Sequence, residues 1–123
     1  MDKKEAIKED LEKAVETLVE AISLPENPIN RDASIQRFEY TFELSWKLMQ
    51  VVVNEQIPNT YGPKNVIRES ARLGYIEDPE VWFEFLKKRN LAAHTYNEGL
   101  AKEVYSAAKD FPLFVKSFLS SLQ

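Results

Sequence analysis

At 123 residues, with 44% hydrophobic and 29% charged side chains, the chain is long enough for one domain with a single core and too apolar to remain disordered. Its net charge of −4 argues against a protein that coats duplex DNA, because that affinity rests on neutralising phosphates. With no cysteine and one histidine, a single chain has no disulfide, no thiolate metal site and no histidine-rich zinc site, which is compatible with a reducing cytoplasmic setting.

No apolar stretch approaches the roughly 20 residues needed to cross a bilayer, and the charged N-terminus is not a secretion signal. The three glycines, Gly62, Gly74 and Gly99, are too dispersed for a phosphate loop or a dinucleotide fingerprint. Their scarcity, with no run of alternating β-branched residues, biases the chain toward helix.

The first element is an amphipathic helix over residues 3–23. Ile7, Leu11, Ala14, Val15, Leu18, Ala21 and Ile22 fall within a stripe about 100° wide. Leu24 to Asn30 reads as a connection, since Pro25 and Pro28 cannot continue a helix. A second helix is expected to start at Asn30 or Asp32, either of which can cap it, and to run to about Glu55. One face carries Ile35, Phe38, Phe42, Ser45, Met49, Val52 and Val53; a second carries Tyr40, Leu44, Leu48 and Val51. The polar remainder is a narrow strip of Glu39, Glu43, Lys47 and Gln50. A helix apolar around most of its girth is covered on two sides, either by its own chain or by another. The expectation here is a twofold homodimer through Leu44 and Leu48.

Pro58, Asn59 and Gly62 mark a turn. Pro63 then opens a short helix through Leu73, with Gly74 as its stop and Lys64, Arg68 and Arg72 along one side. Asp78-Pro79 is a cap followed by proline at the first helical position, and it begins a fourth long segment with Val81, Trp82, Phe85 and Leu86 inward. Asn97 can cap a last helix through Leu122 whose apolar register crosses Pro112, where a kink is expected. Four substantial helices and one short one, joined by short connections, predict an all-α, up-and-down four-helix bundle with one extra short helix, in a single domain over 1–123.

The chain's one histidine lies in Arg89-Asn90-Leu91-Ala92-Ala93-His94-Thr95-Tyr96. With Arg89 at 0° on a regular helix, Trp82 lies at about 20° and Phe85 at about −40°, so Arg89 faces inward and needs a partner. Glu39 and Glu43 are the expected counter-ions. Asn90 and His94 lie near 100° and 140°, so arginine and histidine converge only if the helix ends near Ala93 or a second chain contributes its own copy. Taken alone, these residues fit a structural ion pair and a capping histidine as well as a site. The six cations Lys64, Arg68, Arg72, Lys87, Lys88 and Arg89 form either a solvated face balanced by Glu69, Glu77 and Glu84, or a phosphate-facing surface. Trp46 and Trp82 read as core.

The spacing arginine, four residues, histidine, one residue, tyrosine resembles the signature of the HEPN superfamily. Further matches lie in Phe38-Glu39, Phe42-Glu43-Leu44-Ser45-Trp46-Lys47, Val66-Ile67-Arg68-Glu69, Gly74-Tyr75-Ile76 and Trp82. This ordered set is most similar to the nucleotidyltransferase substrate-binding family, with Asn97 standing where many relatives have an acidic residue. The resemblance implies a subunit that acts with a separately encoded minimal nucleotidyltransferase. ATP and Mg²⁺ would belong to that partner, and this chain would need no cofactor or metal of its own. Candidate binding residues are then Asn90, Tyr96, Glu39, Glu43, Lys47 and Arg68. The alternative it implies is a metal-independent RNase toxin of a toxin–antitoxin pair. There His94 would move the proton and Arg89 would stabilise phosphate charge, in a site shared between two subunits, with Tyr96 adenylylated to silence it. A plain helical scaffold without a ligand is the third reading.

Overall fold

The computed structural model describes residues 2–123. Five α-helices follow one another: α1 (Lys3–Ile22), α2 (Pro28–Asn54), α3 (Pro63–Arg72), α4 (Pro79–Leu91) and α5 (Glu98–Ser121), with a 3₁₀ turn at Ala92–His94 between the last two. No strand occurs among the described residues. The expected four-helix bundle is formed by α1, α2, α4 and α5, and α3 lies against α2 and α4.

α1 and α2 run antiparallel, as do α4 and α5, and specific pairs set their register. Lys4 near the start of α1 meets Glu55 past the end of α2 at 3.1 Å, while Arg37 donates to the Thr17 carbonyl at 2.7 Å. Along α4 and α5 the order reverses in the same way: Lys88 pairs with Glu103 at 2.5 Å, Phe85 packs on Phe111, and Trp82 packs on Phe118. The Lys88 ammonium, through its hydrogen bond, holds the Glu103 carboxyl below its ordinary value.

The boundaries follow local chemistry. α2 starts earlier than the sequence suggests, at Pro28, with Asn27 rather than Asn30 or Asp32 as its cap. The Asn27 side chain accepts from the Asn30 amide at 2.8 Å. Proline at the first helical position costs no hydrogen bond, so Pro28 opens the helix instead of delaying it. α3 ends in a Schellman arrangement: Tyr75 N–H donates to Ser70 O, Gly74 N–H donates to Ala71 O, and Gly74 sits at φ +87°. α5 runs unbroken through the buried Pro112.

An aromatic cluster occupies the centre. The Phe111 ring lies 4.8 to 5.9 Å from those of Phe85, Phe38, Trp82 and Phe42, joining α5 to both α2 and α4. Trp82 is core, as expected. Trp46 sits half-buried at the core margin, and its indole N–H has no partner.

The homodimer face expected on α2 needs correction. Leu48 is fully buried within the chain and Leu44 is half-buried against the core, while the Tyr40 hydroxyl meets Thr17 Oγ1 of α1. α2 touches every other helix, so most of its apolar girth, Leu48 included, is covered by its own chain.

Asn97, the residue just beyond the histidine segment, caps α5 by accepting from the Leu100 amide at 3.1 Å. Asn97→Ala is expected to lose about 1 kcal/mol in urea unfolding, whereas Asn97→Asp retains the cap and stays near wild type.

Candidate functional site

α4 must end before Asn97, because a cap residue adopts an extended backbone, φ −83° and ψ 118° here. The α-helix stops at Leu91, two residues earlier than Ala93, and the chain tightens into the 3₁₀ turn. Ala92 N–H is shared between the Arg89 and Lys88 carbonyls, Thr95 Oγ1 donates to Ala92 O, and Asn97 N–H donates to His94 O. The 3₁₀ turn leaves His94 on the same side as Lys87 and Asn90, not beside Arg89.

Arg89 leaves the inward face of α4 and pairs with Glu43 of α2, with side chains 32% and 28% exposed. Its second terminal nitrogen donates to Asn90 Oδ1 at 3.1 Å. Glu43 is thus the counter-ion. Glu39 is half-buried one turn away; burial pushes its carboxyl above the ordinary value, and Arg89 opposes that shift.

Beside this pair, between α3 and α4, lies a groove of about 660 Å³. Lys64, Arg68 and Lys87 line it together with Asn90 and His94, over an apolar floor of Phe83, Leu86 and Leu91. A smaller hollow of about 370 Å³ adjoins it, shares Lys64, Leu86 and Asn90, and includes Arg89. Arg89 and His94 therefore open onto adjoining hollows of one surface.

The six cations divide cleanly. Arg72, Lys88 and Arg89 are paired with Glu69, Glu103 and Glu43. Lys64, Arg68 and Lys87 have no carboxylate within ion-pair distance among the described residues, and no Asp or Glu lines either hollow. In a chain of net charge −4, this is a local surplus of positive charge.

Of the other expected site residues, Arg68 is in the groove and donates to Asn65 Oδ1 at 3.1 Å. Tyr96 is 87% exposed, and its ring packs edge-on to His94 at 6.0 Å outside the groove. Lys47 is exposed on α2 and lines neither hollow. Phe83 was not singled out by the sequence. Its signal is the spacing 83, 87 and 90, which keeps Phe83, Lys87 and Asn90 along one flank of α4, with His94 of the 3₁₀ turn lining the same groove.

The Arg89–Glu43 pair is half-shielded, so breaking it strands a partly desolvated charge. Glu43→Gln is expected to lose about 1–2 kcal/mol of stability. In a double-mutant cycle with Arg89→Met, the coupling should be about 1 kcal/mol. Additive losses in denaturant titrations would count against the pair.

Comparison with known proteins fits this architecture. The family model described as nucleotidyltransferase substrate binding protein like matches residues 6–123. The probable ribonuclease HepT of Haemophilus influenzae is 38% identical over 91 residues, which is 70% of this chain and 62% of that protein, so the match spans less than two thirds of the relative's own length. A solved protein of Thermus thermophilus superposes with a TM-score of 0.85 at 37% identity, covering 92% of this chain and 98% of that one. A Haemophilus influenzae structure, described as revealing the fold of a substrate binding domain of a nucleotidyltransferase, gives a TM-score of 0.71 at 29% identity over 97% of this chain and 96% of that one. With nearly its whole length matched, the chain belongs to the nucleotidyltransferase substrate binding protein like family.

Proposed function

We propose that this chain is the substrate-binding subunit of a two-protein nucleotidyltransferase, and that its α3–α4 groove holds an anionic acceptor. The observation that carries the reading is the groove itself, with Lys64, Arg68, Lys87, Asn90 and His94 around an apolar floor and no carboxylate in its lining. Cations and amide donors recognise the charged end of the acceptor, while Phe83, Leu86 and Leu91 cover its apolar part. Among the described residues, no three of His, Asp and Glu gather as a metal-binding set. In this reading the nucleotide, ATP, and its Mg²⁺ belong to the partner. Arg89 has a positioning role, because Glu43 and Asn90 engage both its terminal nitrogens. Among the described residues no helix is long and apolar enough to cross a membrane. The proposed setting is the cytoplasm.

The second reading is a metal-independent RNase toxin, favoured by the exposed His94 in a cation-lined groove and by the similarity to a probable ribonuclease. Here His94 takes the proton of a ribose 2′-hydroxyl as its oxygen attacks phosphorus and the 5′-oxygen leaves. One histidine per chain then calls for a homodimer, whose second subunit returns a proton to the leaving oxygen. Arg89 would have to exchange Glu43 for the phosphate. Tyr96 is open to adenylylation by the partner transferase, which would add negative charge beside the groove.

Co-expression with a minimal nucleotidyltransferase encoded beside this chain should give one gel-filtration peak at micromolar concentration; two separate peaks would overturn the first reading. The second reading is checked by RNA cleavage in vitro: it expects cleavage by the wild type and none by His94→Ala. Its modification step expects an AMP adduct by mass spectrometry after incubation with ATP, Mg²⁺ and the transferase, absent in Tyr96→Phe.

A further inference from the structure

On the other flank of α4, a groove of about 650 Å³ runs between α4 and α5. It continues into a smaller one of about 380 Å³ toward the start of α4, and the two share Val81, Leu113 and Phe114. Leu113 is 76% exposed, although Phe111 and Pro112 just before it are buried. A single exposed leucine is ordinary, but a strip continuous through two grooves is the kind of apolar surface that marks a contact site. Carboxylates rim the strip: Glu84 and Asp110 along the first groove, Glu77 and Asp78 along the second. The lysine in the lining, Lys88, is already held by Glu103 at 2.5 Å, so the surplus charge is negative.

We propose that the α4–α5 groove is a docking surface for a basic amphipathic helix of a different protein. Such a helix would lay apolar residues at successive turns along Val81, Leu113 and Phe114, as in other helix-in-groove complexes. Its flanking lysines and arginines would meet Glu84, Asp110, Glu77 and Asp78. A second copy of this chain is the poorer occupant. A twofold contact through this surface sets the same patch against itself, so each acidic rim would face its own like charges. Because α4 separates the two grooves, the helix and an anionic ligand can be bound together. The inference is independent of the role assigned to the α3–α4 groove.

The experiment titrates the full chain, by fluorescence anisotropy, with two synthetic helical peptides. They share a leucine stripe and differ only in flanking residues, lysine in one and glutamate in the other. The lysine peptide should bind and the glutamate peptide should not. Leu113→Asp and Asp110→Lys, both at exposed positions and checked for retained helicity by circular dichroism, should each weaken binding about tenfold or more. Arg68→Glu, on the other groove, should leave it unchanged. Equal binding of both peptides, or binding of the lysine peptide unaffected by Leu113→Asp and Asp110→Lys, would overturn the proposal. So would a wild-type dimer that Leu113→Asp converts to a monomer, since the second copy would then be the occupant.

Discussion

The packing of Phe111 against Phe38, Phe42, Trp82 and Phe85 is the constraint on which the remainder of the structure depends. These rings come from α2, α4 and α5, so they fix the rotation of α4 about its own axis as well as its position. Tilted and edge-on contacts at such distances add to the large area each ring buries, and a rotated α4 would lose both. With Trp82 and Phe85 committed to the centre, Arg89 two turns on is directed at α2, where Glu43 receives it.

The same rotation gives α4 two unlike flanks. One presents Phe83, Lys87 and Asn90 to a groove without carboxylates; the other presents Val81, Glu84 and Lys88 to a groove rimmed by them. Ion pairing sharpens the difference. Lys88 and Arg89, adjacent in sequence, are drawn to Glu103 and Glu43 on different helices, while Lys87 is left facing the α3 cations. A run of three basic residues thus becomes two structural clasps and one charge that faces the groove.

This division bears on function. An arginine already held by Glu43 and Asn90 joins α2 to α4, and the groove beside it is the site proposed for the acceptor. That arrangement suits a bundle that presents a substrate to chemistry supplied by another protein, in keeping with the family to which the chain belongs. The RNase alternative requires the arginine to leave a half-shielded partner, at the cost of uncovering Glu43.

Much was determined by the amino-acid sequence alone, because helix periodicity, proline placement and capping are local. Asp78-Pro79, Gly74 and Asn97 mark boundaries through chemistry confined to a few neighbouring residues, and the inward position of Arg89 follows from its phase relative to Trp82 and Phe85. Pro28 misled because proline both stops and starts helices, and the Asn27 cap decides which. Tertiary structure alone decided the rest. The apolar girth of α2 is the same whether its own chain or a second copy covers it, and at Leu48 its own chain does. Likewise, Glu39 and Glu43 were equal candidates for Arg89, and six cations were equal candidates for a ligand. Which carboxylate reaches which cation depends on distances between helices far apart in sequence, and periodicity along one helix carries no information about them.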